Sequence, residues 1–322
     1  MRENTNIAKT TIYGFDLLKF ILAILIIAGH TSLFEEYADM ARIREVISSI
    51  AVPTFMAISA YLFFRKVYNV PENRDSKPVL FKTLRRLALL FLCWYILMLP
   101  MTYLKFFSVA TIKETIFAIF FSCTFNGYWF IKALFINTCI FYFCRNGKAL
   151  LFCSIISWII YLFFSYNYIL HIIDYPYHPY YSFYYNLAYY SVGVLFAKYG
   201  DLLLSEITNN LLLISSFMLV FFLGFQELFN PLYRFLSIPL LFILFYQMEL
   251  EPKPYYKTMR QMSIILYMMH FFLIWIYDLI AINILQYSII KFLIVSFVAI
   301  SVSLLIIRNG NKPGFAWLKY LY

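Results

Sequence analysis

The sequence predicts an all-α fold, a polytopic bundle of transmembrane helices. Three observations predict it. Hydrophobic residues make up 63% of the 322 residues, charged residues only 13%, and the mean hydropathy is +0.76. The apolar runs are continuous. The basic residues gather between alternate runs. A soluble domain carries roughly 45–50% apolar and roughly 25% charged residues, so that class is excluded. A transmembrane barrel would alternate apolar and polar residues strand by strand, which these runs do not. Nine glycines and no recurring charged heptad exclude collagen and long coiled coils.

A spanning helix needs about 20 mostly apolar residues. About ten such spans are expected, at 12–32, 46–64, 86–104, 127–144, 149–166, 181–198, 209–225, 231–248, 262–282 and 289–307. The run Thr115–Phe125 is too short to cross and reads as interfacial or re-entrant; if it crosses, every later span inverts. With the N-terminus in the cytoplasm, 18 Lys and Arg fall in inside segments and six outside, while Lys19 and Lys132 lie within spans. That bias predicts both termini on the cytoplasmic side. The first run, Thr11–Leu33, is followed by no small-residue cleavage site and reads as an uncleaved span. No Gly/Ser linker and no long polar block interrupts the chain. A single membrane-embedded domain over 1–322 is therefore expected, with no soluble accessory domain.

The net charge of +10 follows from the inside loops and calls for no nucleic-acid partner; the lipid bilayer is the expected environment. The Tyr175–Tyr190 stretch reads as an interfacial aromatic belt, not a base-stacking platform. Five cysteines lie in or beside apolar runs without a CxxC pair, and read as packing residues. His171, Asp174 and His178 lack a third strong ligand at suitable spacing, so no metal is expected. Glu227 and Arg234 read as an ion pair at the outer face.

Ionisable groups at membrane depth are costly and functional by default. The first span holds Asp16, Lys19 and His30. Lys19 and His30 are 11 residues apart, about 1100° around the helix and about 16 Å along it. They share one face at different depths. Asp16 lies one turn before Lys19, within pairing reach. A cation near the membrane surface can hold a phosphate, and a deeper imidazole can accept a proton at neutral pH. The alternatives are a snorkelling lysine and a hydrogen-bonded histidine. Further cavity candidates are Tyr128, Trp129 and Lys132 in one span, and the stripe Ser263, Tyr267 and His270 in another. Each has a structural alternative, in snorkelling or interhelical hydrogen bonds.

Five segments, in order, resemble the acyltransferase-3 family of integral membrane acyltransferases. "FDLLKFILAILIIAGHTS" (Phe15–Ser32) is similar to its first helix, with a cation, ten residues and a histidine. "VPTFMAISAYLFFRK" (Val52–Lys66) is similar to its second helix, and "KTLRRLALLFLCWY" (Lys82–Tyr95) to the basic start of its third. "GYWFIKALF" (Gly127–Phe135) and "SIILYMMHFFLIW" (Ser263–Trp275) match in character. The resemblance implies O-acyl transfer, usually of acetyl from acetyl-CoA as co-substrate, to a hydroxyl of a surface or exported glycan. It implies a polysaccharide-modifying enzyme of the bacterial plasma membrane and cell envelope. By position, His30 is the catalytic base and Lys19, Lys82, Arg85 and Arg86 bind the donor. Two departures stand out. The family more often has Arg where Lys19 stands, and Lys82-x-x-Arg85 replaces Arg-x-x-Arg. A transporter or exporter of a small polar solute or glycan is the alternative from another class, although no Gly/Pro-broken helices recur in matching halves.

Overall fold

The computed structural model describes residues 11–102, 128–172, 179–205, 210–281 and 287–322. The run Thr115–Phe125 lies outside them. The described residues form eleven α-helices and no strand. In chain order these are α1 (Tyr13–His30), α2 (Ala38–Ser49), α3 (Ala51–Tyr68), α4 (Lys77–Thr102), α5 (Trp129–Phe143), α6 (Gly147–Ile169), α7 (Phe183–Ser205), α8 (Asn210–Leu223), α9 (Asn230–Tyr246), α10 (Pro254–Ile280) and α11 (Ser288–Asn309). Seven helical stretches are long and apolar enough to cross a membrane, and α5 and α8 are shorter apolar helices of 15 and 14 residues.

Each expected span is matched by a helix, but the boundaries differ in an informative way. The helix expected from residue 86 begins at Lys77, and the one expected from 262 begins at Pro254. Hydropathy clips a span at its first charges, whereas a helix continues through them if its side chains can reach water. Pro254 opens α10 and Pro231 lies in the first turn of α9, where a missing N–H is harmless. The first two turns of helix α2 fall in an expected outer loop, and its last turn, Val46–Ser49, falls in the span expected from 46. Those first turns carry Asp39, Arg42, Arg44 and Glu45, so no apolar run betrays them.

Helix α3 is the hub. Thirteen of its 18 residues are buried, and it packs most extensively on α7. The contact is close because Gly193 of α7 has no Cβ; one placed there would sit 1.9 Å from the Ala57 carbonyl oxygen. Gly14 of α1 meets the Phe245 carbonyl of α9 in the same way, at 1.9 Å. Small residues let backbones approach where lipid supplies no hydrophobic drive. Helix α1 packs along α10, and α11 covers the other side of α10. Buried hydroxyls are satisfied locally: Thr54, Thr138, Ser154 and Ser303 each donate to a carbonyl one turn earlier, at 2.6–2.8 Å.

Two ends of the bundle follow from α1. One holds Lys19, the start of α10 and the basic turns of α3 and α4. The other holds His30, α2 and the α8–α9 turn.

Candidate functional site

At the Lys19 end the helices enclose a cavity of about 800 Å³. Its mouth is polar and mostly cationic, with Asp16 and Lys19 from α1, Arg65 and Lys66 from α3, Arg86 from α4 and Arg260 from α10. Farther in, the lining turns apolar and aromatic, with Phe55, Ile131, Leu134, Tyr190 and Met268. From Lys66 to Phe55 is 11 residues of α3, a depth of about 16 Å. The cations feel one another. Lys19 lies within electrostatic reach of Arg86, Arg260 and Lys66, and Lys66 within reach of Lys82. One carboxylate answers this cluster: Asp16, buried on α1, makes an ion contact with the Arg260 guanidinium at 3.5 Å. Asp16 was expected to pair with Lys19, but the ion pair goes to Arg260.

The cavity ends at three buried rings. Phe55, Phe130 and Tyr267 meet with centroids 4.9–6.2 Å apart, and all three line the space. Behind Tyr267, the His270 ring lies 5.9 Å away. His270 is fully buried and stacks on His30, with centroids 5.1 Å apart and planes 28° apart. Its Nδ1 is 2.7 Å from the Tyr267 carbonyl oxygen. A carbonyl can only accept, so Nδ1 carries the proton and Nε2 presents a lone pair, which has no partner among the described residues. His30 is exposed at the end of α1, touches Phe271 at 4.4 Å, and makes no hydrogen bond among the described residues.

The expected residues thus divide. Asp16, Lys19, Arg86, Ser263 and Tyr267 line the cavity. Lys82 and Arg85 are exposed and outside its lining; Lys82 lies one turn before Arg86 on the same side of α4, whereas Arg85 is turned about 100° away. His30 and Lys19 do share a face of α1, yet His30 borders not the cavity but the histidine stack beyond the aromatic wall. Tyr128 donates to the Trp94 carbonyl at 3.1 Å and packs in the core. Trp129 turns the other way, against Tyr180 and Tyr181 at 5.3 and 5.5 Å. Lys132 is half-buried and does not line this cavity. His171 is exposed; Asp174 and His178 lie outside the described residues. Glu227 and Arg234 do not form the expected ion pair.

Arg260, Arg65 and Lys66 were not expected in the site. Arg260 had a readable signal. It continues the Ser263–Tyr267–His270 stripe back by one turn, and its carbonyl accepts the Ser263 hydroxyl at 2.8 Å.

A protein-family model described as an acyltransferase domain matches residues 12–308, nearly the whole chain. No curated protein and no solved structure matches it.

Proposed function

The chain belongs to the acyltransferase-3 family, and on that ground we propose that it moves an acyl group, acetyl in the simplest case, from cytoplasmic acyl-CoA to a hydroxyl of a surface or exported glycan. The observation that carries this reading is the graded cavity. A donor of this kind has a polyphosphorylated head and a long, thin, mostly uncharged arm. A ring of Lys19, Lys66, Arg86 and Arg260 suits the head. An apolar tunnel about 16 Å deep suits the arm. The orientation inferred from the loop charges puts that mouth in the cytoplasm.

In this reading His30 accepts the proton of the acceptor hydroxyl as that oxygen attacks the thioester carbonyl. The carbon–sulfur bond breaks, the thiolate of CoA leaves, and the proton passes from His30 to solvent or to the departing sulfur. His270 stacks on His30 and fixes its plane, and its free Nε2 offers a second resting place for the proton. Tyr267 stands between the tunnel and the two imidazoles. Its side chain must swing for the thioester to reach His30, which keeps the donor from water until an acceptor is seated.

The test is CoA release by the purified chain in lipid nanodiscs, with acetyl-CoA and a crude cell-surface glycan fraction. Release that needs both acceptor and His30, and is lost in His30→Ala at equal protein level, supports the reading. Unchanged transfer in His30→Ala overturns it. Glycan accumulation in sealed vesicles without acetyl-CoA would instead favour transport.

A further inference from the structure

A second cavity, of about 540 Å³, opens at the His30 end. Helices α2, α6 and α9, the 3-10 turn before α7 and the α8–α9 turn line it, and no role has yet been assigned to it. Its character differs from that of the donor tunnel. The wall is tyrosine: Tyr168, Tyr180, Tyr181 and Tyr185. Ser48, Ser49, Ser165 and Asn230 add small hydrogen-bonding groups.

The charged residues that line this cavity are Arg42, Glu45, Glu227 and Arg234, two of each sign, and they are unevenly engaged; Glu227, on the α8–α9 turn, makes no ion pair among the described residues. Arg42 donates to the Phe225 carbonyl, and Glu45 is paired with Arg44 at 3.0 Å. Arg234 has no carboxylate partner among the described residues. The groups that surround it are Tyr161, Tyr180, Tyr185 and Tyr189, with the Tyr180 ring 5.5 Å from its guanidinium carbon. Its Nε is buried and unbonded. A guanidinium drawn out of water without a counter-ion is a strong anion site, because an incoming carboxylate recovers the lost solvation through two parallel hydrogen bonds. Aromatic faces beside it favour the C–H face of a sugar ring. Tyr181 stands at the rim, 40% exposed and braced edge-on by Trp129.

The cavity also adjoins the proton-accepting end of α1. Ser48 lines it, and a Cβ at Gly29, the residue before His30, would lie 3.3 Å from the Ser48 side chain.

We propose that this cavity is the acceptor subsite, and that it takes a pyranose bearing a carboxylate. The ring rests on Tyr180 and Tyr181, the carboxylate sits on Arg234, and a free hydroxyl is turned towards His30. The proposal rests on the acyl-transfer reading above for its assignment to the acceptor, but the binding it requires does not need the donor.

The experiment measures equilibrium binding of methyl β-glucuronide, methyl β-glucoside and inorganic phosphate to the full chain in nanodiscs, without acetyl-CoA. The glucuronide should bind at least about tenfold more tightly than the neutral glucoside, the usual size of a charge-assisted contact. Arg234→Gln should abolish that preference. Tyr181→Ala, at the 40% exposed rim, should weaken both sugars alike and keep the preference. Equal binding of the two sugars, a preference that survives Arg234→Gln, or phosphate binding as tightly as the glucuronide would overturn the proposal. His30-dependent CoA release with no glucuronide binding would sink the acceptor subsite alone. Intact binding without acyl transfer would sink the catalytic reading alone.

Discussion

The two ends of α1 solve opposite problems. At the Lys19 end a cavity of about 800 Å³ gathers cations from four helices and gives them one carboxylate between them. At the His30 end a cavity of about 540 Å³ is walled by tyrosine, and Arg234 in it is ringed by phenols with no carboxylate partner among the described residues. The first suits a large polyanion that threads inward, the second a compact polar ring held from the side. Two relays of rings leave the first cavity towards that end, one from Phe55 and Phe130 through Tyr267 to His270 and His30, the other from Phe130 through Trp129 to Tyr180 and Tyr181. If the proposed roles hold, the difference makes donor recognition and proton removal separable on this scaffold, so they should fail separately.

The largest expected effect is at the His30 end. His30→Ala should lower kcat by about 10²–10⁴-fold, the usual contribution of one acid–base group, and leave the donor KM within about twofold. A matching rise in donor KM would merge the two ends. His270→Ala should give the same kind of defect, smaller by about tenfold if it positions His30 and shares the proton. Steady-state kinetics with the donor varied decides both.

Next come the mouth cations. Arg260→Gln should raise the donor KM by about 10–100-fold at nearly constant kcat, as expected for loss of one charge-assisted contact. It should also leave Asp16 buried without its ion contact, so Arg260→Lys is the informative control. Lys19→Ala should impair donor use more than Lys19→Arg; equal defects would argue against a phosphate contact.

Tyr267→Ala should remove part of the wall. The expected result is a several-fold rise in acetyl-CoA hydrolysis without acceptor, read as CoA release into buffer. No rise would mean that the wall does not hold back water.

The smallest effect concerns the joint between α1 and α11. Glu36, in the turn after α1, accepts the Ser288 backbone N–H at 2.6 Å and the Ser288 hydroxyl. Those bonds hold its pKa below the usual carboxylate range. A depressed folded-state pKa contributes stability that is present above the unfolded value, about 4.3, and is lost as pH falls through the lower folded value. Glu36→Gln should therefore lower the melting temperature slightly at pH 7, and by less as the pH falls through the folded-state pKa, by thermal unfolding in nanodiscs.

Much of the fold was legible because apolar runs long enough to span a bilayer leave few alternatives. What hydropathy missed has one cause. The first turns of α4, α10 and α2 are charged, so a window that looks for apolar residues drops them. Those dropped turns carry Arg260 and Arg42, two of the cations that line the two cavities. The site was legible where residues share a single helix, as Asp16 with Lys19 and Ser263 with Tyr267 do. It was not legible across helices. The Asp16–Arg260 contact joins residues 244 positions apart in sequence, and the His30–His270 stack joins residues 240 apart. Helical periodicity says which face a residue occupies, not which helix that face meets.

The glycine seams at the centre carry a consequence for how substrates move. With no atom's width to spare between Gly193 and Ala57, or between Gly14 and Phe245, these backbones cannot slide past one another without collision. A carrier that rocks two halves around a midpoint needs such sliding. On the acyl-transfer reading no such rocking is needed, and passage is left to swinging side chains, a turnstile in a close-packed wall.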